Sequence, residues 1–340
     1  MQNRIHSVSK SSLALALAAA VFLGGCTEGP GDNPKASDQG QTDVAVQGVA
    51  PPIEDKNCVI NDDEKQLQAL VDKHRDRRFS AGSMACAARA AMAYYDNNML
   101  SPEALNQAAE AASNYAEYTH NVKLMDLMGA NQSNNRAIEE AMDLERRVLN
   151  ILGKIPFAGA DVKAWRGLMM IQLLQAEGGS DLDAALEARA LIEEAVAEDE
   201  QVLNGLALSI LGRIYYELPV VLGGDNLKSI VLLERSLKLN PSLMPTLQFL
   251  AESYDQELEE QKSKQTLGLM LTLKPQIDTE QEIVDGLRIG AGLARRLGDK
   301  SLAQKLSKMR QSVLAGNSKL LTRESESMGG HGGVNPLTGV

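Results

Sequence analysis

The chain is 340 residues long, with 34 Lys and Arg against 45 Asp and Glu, a net charge of −11, and 44% apolar residues of which few are aromatic. Its acidity argues against nucleic-acid binding, whose footprint is a basic patch, and its length suits one large core or two small ones. Abundant Ala and Leu, with few β-branched alternations, predict helices in close contact through small side chains.

Arg4 and Lys10 precede an apolar run from Leu13 to Leu23, and Gly24 and Gly25 stand directly before Cys26. A charged start, a short apolar stretch and small residues at its end make the pattern of a cleaved secretory signal. The run is shorter than the ~20 residues that cross a bilayer, which argues against a retained anchor. Leu23-Gly24-Gly25-Cys26 resembles the lipobox of bacterial lipoproteins at all four positions. That resemblance implies a signal peptide over 1–25, lipid on the Cys26 thiol and a periplasm-facing protein. Thr27, where an inner-membrane signal places Asp, implies the outer membrane of a Gram-negative host. Cleavage would remove two basic residues and no acidic one, taking the charge to −13. Residues 26–57 carry Pro30, Pro34, Pro51 and Pro52 with scattered glycines among polar residues, and they predict a flexible tether.

Cys58 and Cys86 are the cysteines left after Cys26. In an oxidising compartment the pair predicts a disulfide that clips the end of the tether to the first helices. Two separate buried thiols are the other reading. Neither has a partner at C-x-x-C spacing, so a metal site is not expected.

From Ala88 to Ser113 a hairpin is predicted, holding Tyr94 and a helix start at Ser101-Pro102, with Ala104, Ala108 and Ala111 at helical spacing. Residues 134–152 read as an amphipathic helix with Ile138, Ala141, Leu144, Val148 and Leu149 on one face. Its Glu139, Glu140, Asp143, Glu145, Arg146 and Arg147 read as a solvated face with ion pairs at i,i+3 and i,i+4. Trp165 to Glu200 forms another pair, joined through Gly178-Gly179-Ser180, with Ala188, Ile192 and Ala195 turned inward. Trp165, the sole tryptophan, reads as a packing aromatic, with ligand stacking as the alternative.

Pro241 and Pro275 are 34 residues apart, the tetratricopeptide (TPR) period. The stretch ending at Pro275 fits that repeat without gaps, with Ala251 as the small position and Tyr254 following it, then Ser263, Leu267 and Met270 on the second helix. The stretch ending at Pro241 supplies Gly212, Tyr215, Ser229, Leu233 and Ser236 once Leu218-Pro219-Val220-Val221-Leu222 is set aside as an insertion between helices. Small residues let paired helices approach, the aromatic fills the space beside them and Pro ends the second helix. Near the end, Leu287 to Leu297 and Leu302 to Leu314 flank a Gly298-Asp299 turn. Four to five hairpins and no strand follow. Residues 58–315 are an all-α domain of TPR-like hairpins stacked as an α-solenoid, and residues 316–340, rich in Gly and Ser, a disordered tail.

Ile214-Tyr215-Tyr216-Glu217-Leu218-Pro219, then Leu222-Gly223-Gly224-Asp225, then Leu232 to Pro241, resemble the T components of TRAP transporters, the TatT family. Weaker similarity runs from about Trp165 to Leu314. The resemblance implies a non-catalytic lipoprotein accessory of a tripartite ATP-independent transporter, possessing no cofactor. Its implied partner is the periplasmic solute-binding protein, together with that protein's ligand, and homo-oligomers are a further implication. A TPR lipoprotein scaffold for envelope assembly or secretion is the alternative, since helical repeats present extended binding surfaces. Gly223 and Gly224 are expected to supply positive φ, and Asp225 to cap the next helix, with direct ligand contact by this turn as the alternative.

Sequence signals for catalysis are absent. His74, His120 and His331 are far apart and none stands in H-E-x-x-H form, and no G-x-S-x-G, P-loop or dinucleotide fingerprint occurs. His331, between Gly-Gly pairs, reads as part of the tail rather than a metal ligand.

Overall fold

The computed structural model describes residues 58–75, 81–127, 135–155, 158–177, 181–275 and 280–316. Cys26, the signal segment, the tether before Cys58, the Gly178-Gly179-Ser180 joint, His331 and the tail from 317 lie outside them. Twelve α-helices and two 3-10 turns make up the described residues, with no strand among them. Helix α1 (Glu64–Arg75) packs on α2 (Ala81–Asn97), and α3 (Pro102–Leu127) on α4 (Asn135–Leu152). Then α5 (Ala160–Ala176) packs on α6 (Leu182–Glu198), and α7 (Leu206–Glu217) on α8 (Asn226–Leu239). Helix α9 (Met244–Gln256) pairs with α10 (Glu260–Met270), and α11 (Glu280–Arg296) with α12 (Lys300–Gly316). Each first helix also packs on the second helix of the preceding pair, and α3 meets α5, α7 meets α9 and α9 meets α11. That nearest-neighbour pattern is the α-solenoid of TPR-like hairpins.

Six pairs replace the expected four to five. The sequence conceals α1, whose apolar positions Leu67, Leu70 and Val71 sit in an otherwise charged and polar run. With α1 present, α2 becomes the second helix of a pair, and Ala88–Ser113 spans two pairs rather than forming one. Ser101 still caps α3, accepting from the Ala104 amide at 3.2 Å. Alanines let α2 and α3 approach: Ala88, Ala90, Ala91, Ala104, Ala108 and Ala112 are completely buried. In α5–α6, Trp165, Leu168 and Ile192 are buried, and each large apolar side chain so covered contributes about 1.5–3 kcal/mol. Gly167 stands where a Cβ would lie 2.6 Å from Ile192 Cγ1, so only glycine permits that approach.

The last three pairs share one turn device. Leu258 (φ 60°) and Gly298 (φ 73°) adopt the left-handed conformation after α9 and α11. The following amides, of Glu259 and Asp299, donate to the Tyr254 and Ala294 carbonyls at 2.9 Å, closing a Schellman-type end. At α7 the equivalent bond runs from the Asp225 amide to the Tyr215 carbonyl, also at 2.9 Å, but spans ten residues instead of five. The five extra residues are the Leu218–Leu222 insertion. Of its two glycines only Gly223 has positive φ, at 85°. Gly224 is needed for a different reason than expected: a Cβ there would fall 1.7 Å from the Leu218 carbonyl oxygen. Asp225 caps α8, accepting from the Lys228 amide at 3.0 Å, and Asp299 caps α12 in the same way.

Pro241 directly follows the α8 cap residue Asn240. Pro275 does not end α10, which stops at Met270. Leu271, Thr272 and Leu273 close a tight turn onto the Gly268, Leu269 and Met270 carbonyls before Pro275 is reached. No helix among the described residues is long and apolar enough to cross a membrane.

Candidate functional site

The repeat framework residues are packing elements. Gly212 faces α8, where a Cβ would meet Leu233 Cγ at 2.7 Å. Ala251 is fully buried, Trp165 is 4% exposed, and Tyr215 and Tyr254 are buried with their hydroxyls donating to Glu193 and Glu234. Burial, then the adjoining carboxylate, pushes both phenols above their usual range. Pro219, Pro241 and Pro275 are exposed. Around the insertion, Arg189 Nη1 donates to the Leu222 carbonyl at 3.1 Å, while Val220 and Val221 project into solvent. Cys58 and Cys86 are disulfide-bonded, with Cα atoms 5.7 Å apart.

One helical step past the small position points elsewhere, because a residue turns about 100° from its neighbour around the axis. Arg213 follows Gly212 on α7, Glu252 follows Ala251 on α9, and Gly292 follows Ala291 on α11. These positions form the face that the first helices share. Arg213 is 3% exposed, and its guanidinium pairs with Glu217 one turn on and with Glu252 across on α9. It lies between two rings, 4.6 Å from the Tyr216 centroid and 4.7 Å from that of Phe249. A desolvated cation over a ring is worth about 2 kcal/mol. Gln248 donates to the other Glu252 oxygen at 3.2 Å. Burial raises the Glu217 carboxyl above its ordinary range, against the opposing pull of Arg213. Burial also raises the Tyr216 phenol.

The line continues onto α11, where Arg296 donates to Asp255 of α9 at 3.1 Å. Arg288 lies two turns back on the same stripe, with Gly292 between them and Arg295 beside Arg296. Arg288 and Arg295 are exposed and have no ion-pair partner among the described residues. A Cβ on Gly292 would meet nothing within 4 Å, so this part of the face is open. Of the residues singled out from sequence, Tyr216 alone belongs to this face. Arg213, Glu217, Gln248, Glu252, Asp255 and the α11 arginines were missed. For Arg213 and Glu252, the place one step after each small repeat position was the available signal.

A second polar feature lies among α3, α4 and α5. The buried stripe of α4 is Ile138, Ala141, Glu145, Val148 and Leu152. Glu145 therefore does not join the solvated face expected from its charge. It joins Leu144, which is half-buried and packs against the core, on the inward side, because i+3 and i+7 from Ile138 are positions 141 and 145. Its side chain lines a small cavity with Glu117, Gln172 and Gln175, with room for about one water. Burial pushes its carboxyl well above the usual range. The neighbouring charges are surface pairs: Glu140 with Arg89, Arg147 with Asp96, and Arg146 with Asp143 and Glu177.

Groups of three or more His, Cys, Asp and Glu able to hold a metal are absent among the described residues. No protein-family model matches the chain, and no curated protein matches it. Among solved structures it is similar to the C-terminal part of a TPR repeat-containing protein from Cytophaga hutchinsonii. There the identity is 15% and the TM-score 0.36, over 78% of this chain and 84% of that one. It is also similar to the pilF protein of Pseudomonas aeruginosa, at 15% identity and a TM-score of 0.36, over 77% of this chain and 99% of that one. Likeness at this level adds nothing to what the helix pairs and their shared turn show directly, a TPR-like all-α solenoid.

Proposed function

We propose that the protein is a non-catalytic scaffold, lipid-held at Cys26, that binds a partner protein along the face shared by α7, α9 and α11. The observation that carries this reading is the line of charge on that face, from Arg213 through Glu252 and Asp255 to the exposed arginines of α11. Arg213, Glu217 and Glu252 tie α7 to α9, whereas the exposed Arg288 and Arg295 at the α11 end serve no helix packing, so their charge is surplus to it. A photo-crosslinking residue placed at Tyr216 or Arg288 should capture a discrete partner in cells, and one at Lys305 on α12 should not. Equal capture at all three positions, or none, would remove the reading.

The TRAP T-component reading is the more specific form of this function. It draws support from the segment that carries the resemblance, in which Leu218 to Asp225 is a defined turn holding Val220 and Val221 outward. In that form the partner is a periplasmic solute-binding protein, and its absence from mildly crosslinked, affinity-purified material would count against it. Lipid attachment is tested separately: Cys26→Ser should leave the protein in the soluble fraction with its helical content unchanged.

A further inference from the structure

We propose that the α11 end of this face is a docking surface for an acidic, extended protein segment. The inference rests on the scaffold reading and names the chemistry of the partner. Between Gly286 and Gly316 the chain has seven Lys and Arg against one acidic residue, Asp299, in a protein whose net charge is −11. With Glu280, Glu282 and Asp285 at its start included, the α11–α12 hairpin still has seven basic residues against four acidic ones, the reverse of the chain's overall balance.

Two parts of the same face behave differently. On α7 and α9, the Arg213 guanidinium is already matched by two carboxylates, Glu217 and Glu252, and is buried beneath Tyr216 and Phe249. That part holds the stack together and has no cation to offer. On α11, Asp255 engages Arg296, but Arg288 and Arg295 are exposed and lack an ion-pair partner among the described residues. They lie about two turns apart along the helix, roughly 10 Å at 1.5 Å per residue. In an extended chain the side chains on one edge recur about every 6.6–6.8 Å, so acidic groups at alternate positions bracket this spacing and the long arginine side chains span the remainder. Gly292 leaves the backbone between the two arginines uncovered, giving a strand-like segment room to lie close. Complementary charge then sets orientation and speeds encounter. From the neighbouring α9, Asp255 reaches the stripe and is engaged by Arg296, and on α11 itself Asp285, one turn before Arg288, is buried. They leave the Arg288–Arg295 stretch cationic.

Fluorescence anisotropy on the full-length protein tests this, with a labelled peptide of alternating Asp and Ser as the probe and an Ala-Ser peptide as the neutral control. The acidic peptide should bind, and salt should weaken it. Arg288→Glu with Arg295→Glu should weaken binding by about tenfold or more, the sum expected of two exposed pairs turned repulsive. Lys305→Glu with Lys308→Glu makes the same change in net charge on α12 and should alter binding by less than about twofold. Arg288→Lys with Arg295→Lys should retain it. Equal losses in the two charge-reversed proteins would overturn the proposal, as would failure of the acidic peptide to bind. Binding of phosphatidylglycerol vesicles through Arg288 and Arg295 without peptide binding would also overturn it, assigning the surface to lipid headgroups. The scaffold reading stands or falls separately, on partner capture from Tyr216.

Discussion

The α7–α8 and α9–α10 hairpins answer the same packing problem with different turns. Both set a small residue, Gly212 or Ala251, against a buried serine region of the second helix, and both bury a tyrosine one turn later. Both end the first helix with the same 2.9 Å bond back to that tyrosine's carbonyl. One reaches it in five residues through Leu258, and the other in ten through Gly223 and Gly224. The comparison teaches that the helices and their capping bond define this repeat, whereas turn length is free to vary as long as the bond is kept. Inserted residues can therefore be spent on surface features, here Val220 and Val221, without shifting the register of the core.

Arg213→Ala breaks the comparison most severely, because this residue ties the two hairpins together. It would strand Glu217 and Glu252 as largely buried carboxylates, at a cost of about 3–5 kcal/mol. Chemical denaturation should show this as a lower midpoint, with the α7–α9 amides losing hydrogen-exchange protection. An unchanged midpoint would mean that the cluster is not formed in solution. Gly212→Ala comes next, costing about 1–3 kcal/mol, since its Cβ would press on Leu233 in a filled interface.

Glu145 supplies the contrast of a buried carboxyl with no arginine of this kind. Burial raises its folded pKa above the unfolded value, so the folded protein binds the proton more tightly. Stability is then fully present below the ordinary carboxylate range and falls as pH rises toward the elevated folded value. Glu145→Met should flatten that fall and stabilise the protein by about 1–2 kcal/mol at pH 8, with less gain at acid pH, in urea titrations. A steeper pH dependence in the variant would contradict the assignment. The smallest effect tests the turn itself. Leu258→Gly should stabilise by up to about 1 kcal/mol, since Leu258 is 86% exposed and holds a left-handed φ that glycine adopts without strain.

Much of the repeat was legible because packing constrains residue size at fixed offsets. Gly212, Tyr215, Ser229, Ala251 and Tyr254 are recognisable for that reason, and the five-residue insertion could be placed from their spacing alone. The charged face of α7, α9 and α11 was harder to read, because Arg213 and Glu252, although largely buried, look by residue type like any solvated charge. Glu145 was hidden by the same assumption, that a carboxylate on an amphipathic helix points to water. Helix α1 was missed because a helix at the end of a stack has only one side to bury, and three apolar residues suffice.

The Cys58–Cys86 bond has a mechanical consequence. Tension applied to the chain ahead of Cys58 passes through the sulfur bridge into the middle of α2, while also reaching Cys58's own continuation toward α1. Because the bridge ties the segment just ahead of α1 to Cys86 in α2, α1 lies inside the closed loop and that tension cannot peel it away from the stack end-first. The pull is borne at α2 instead. Reduction of the bridge would convert the pull into an unzipping of α1 alone, so the force this protein withstands should depend on the redox state of its surroundings.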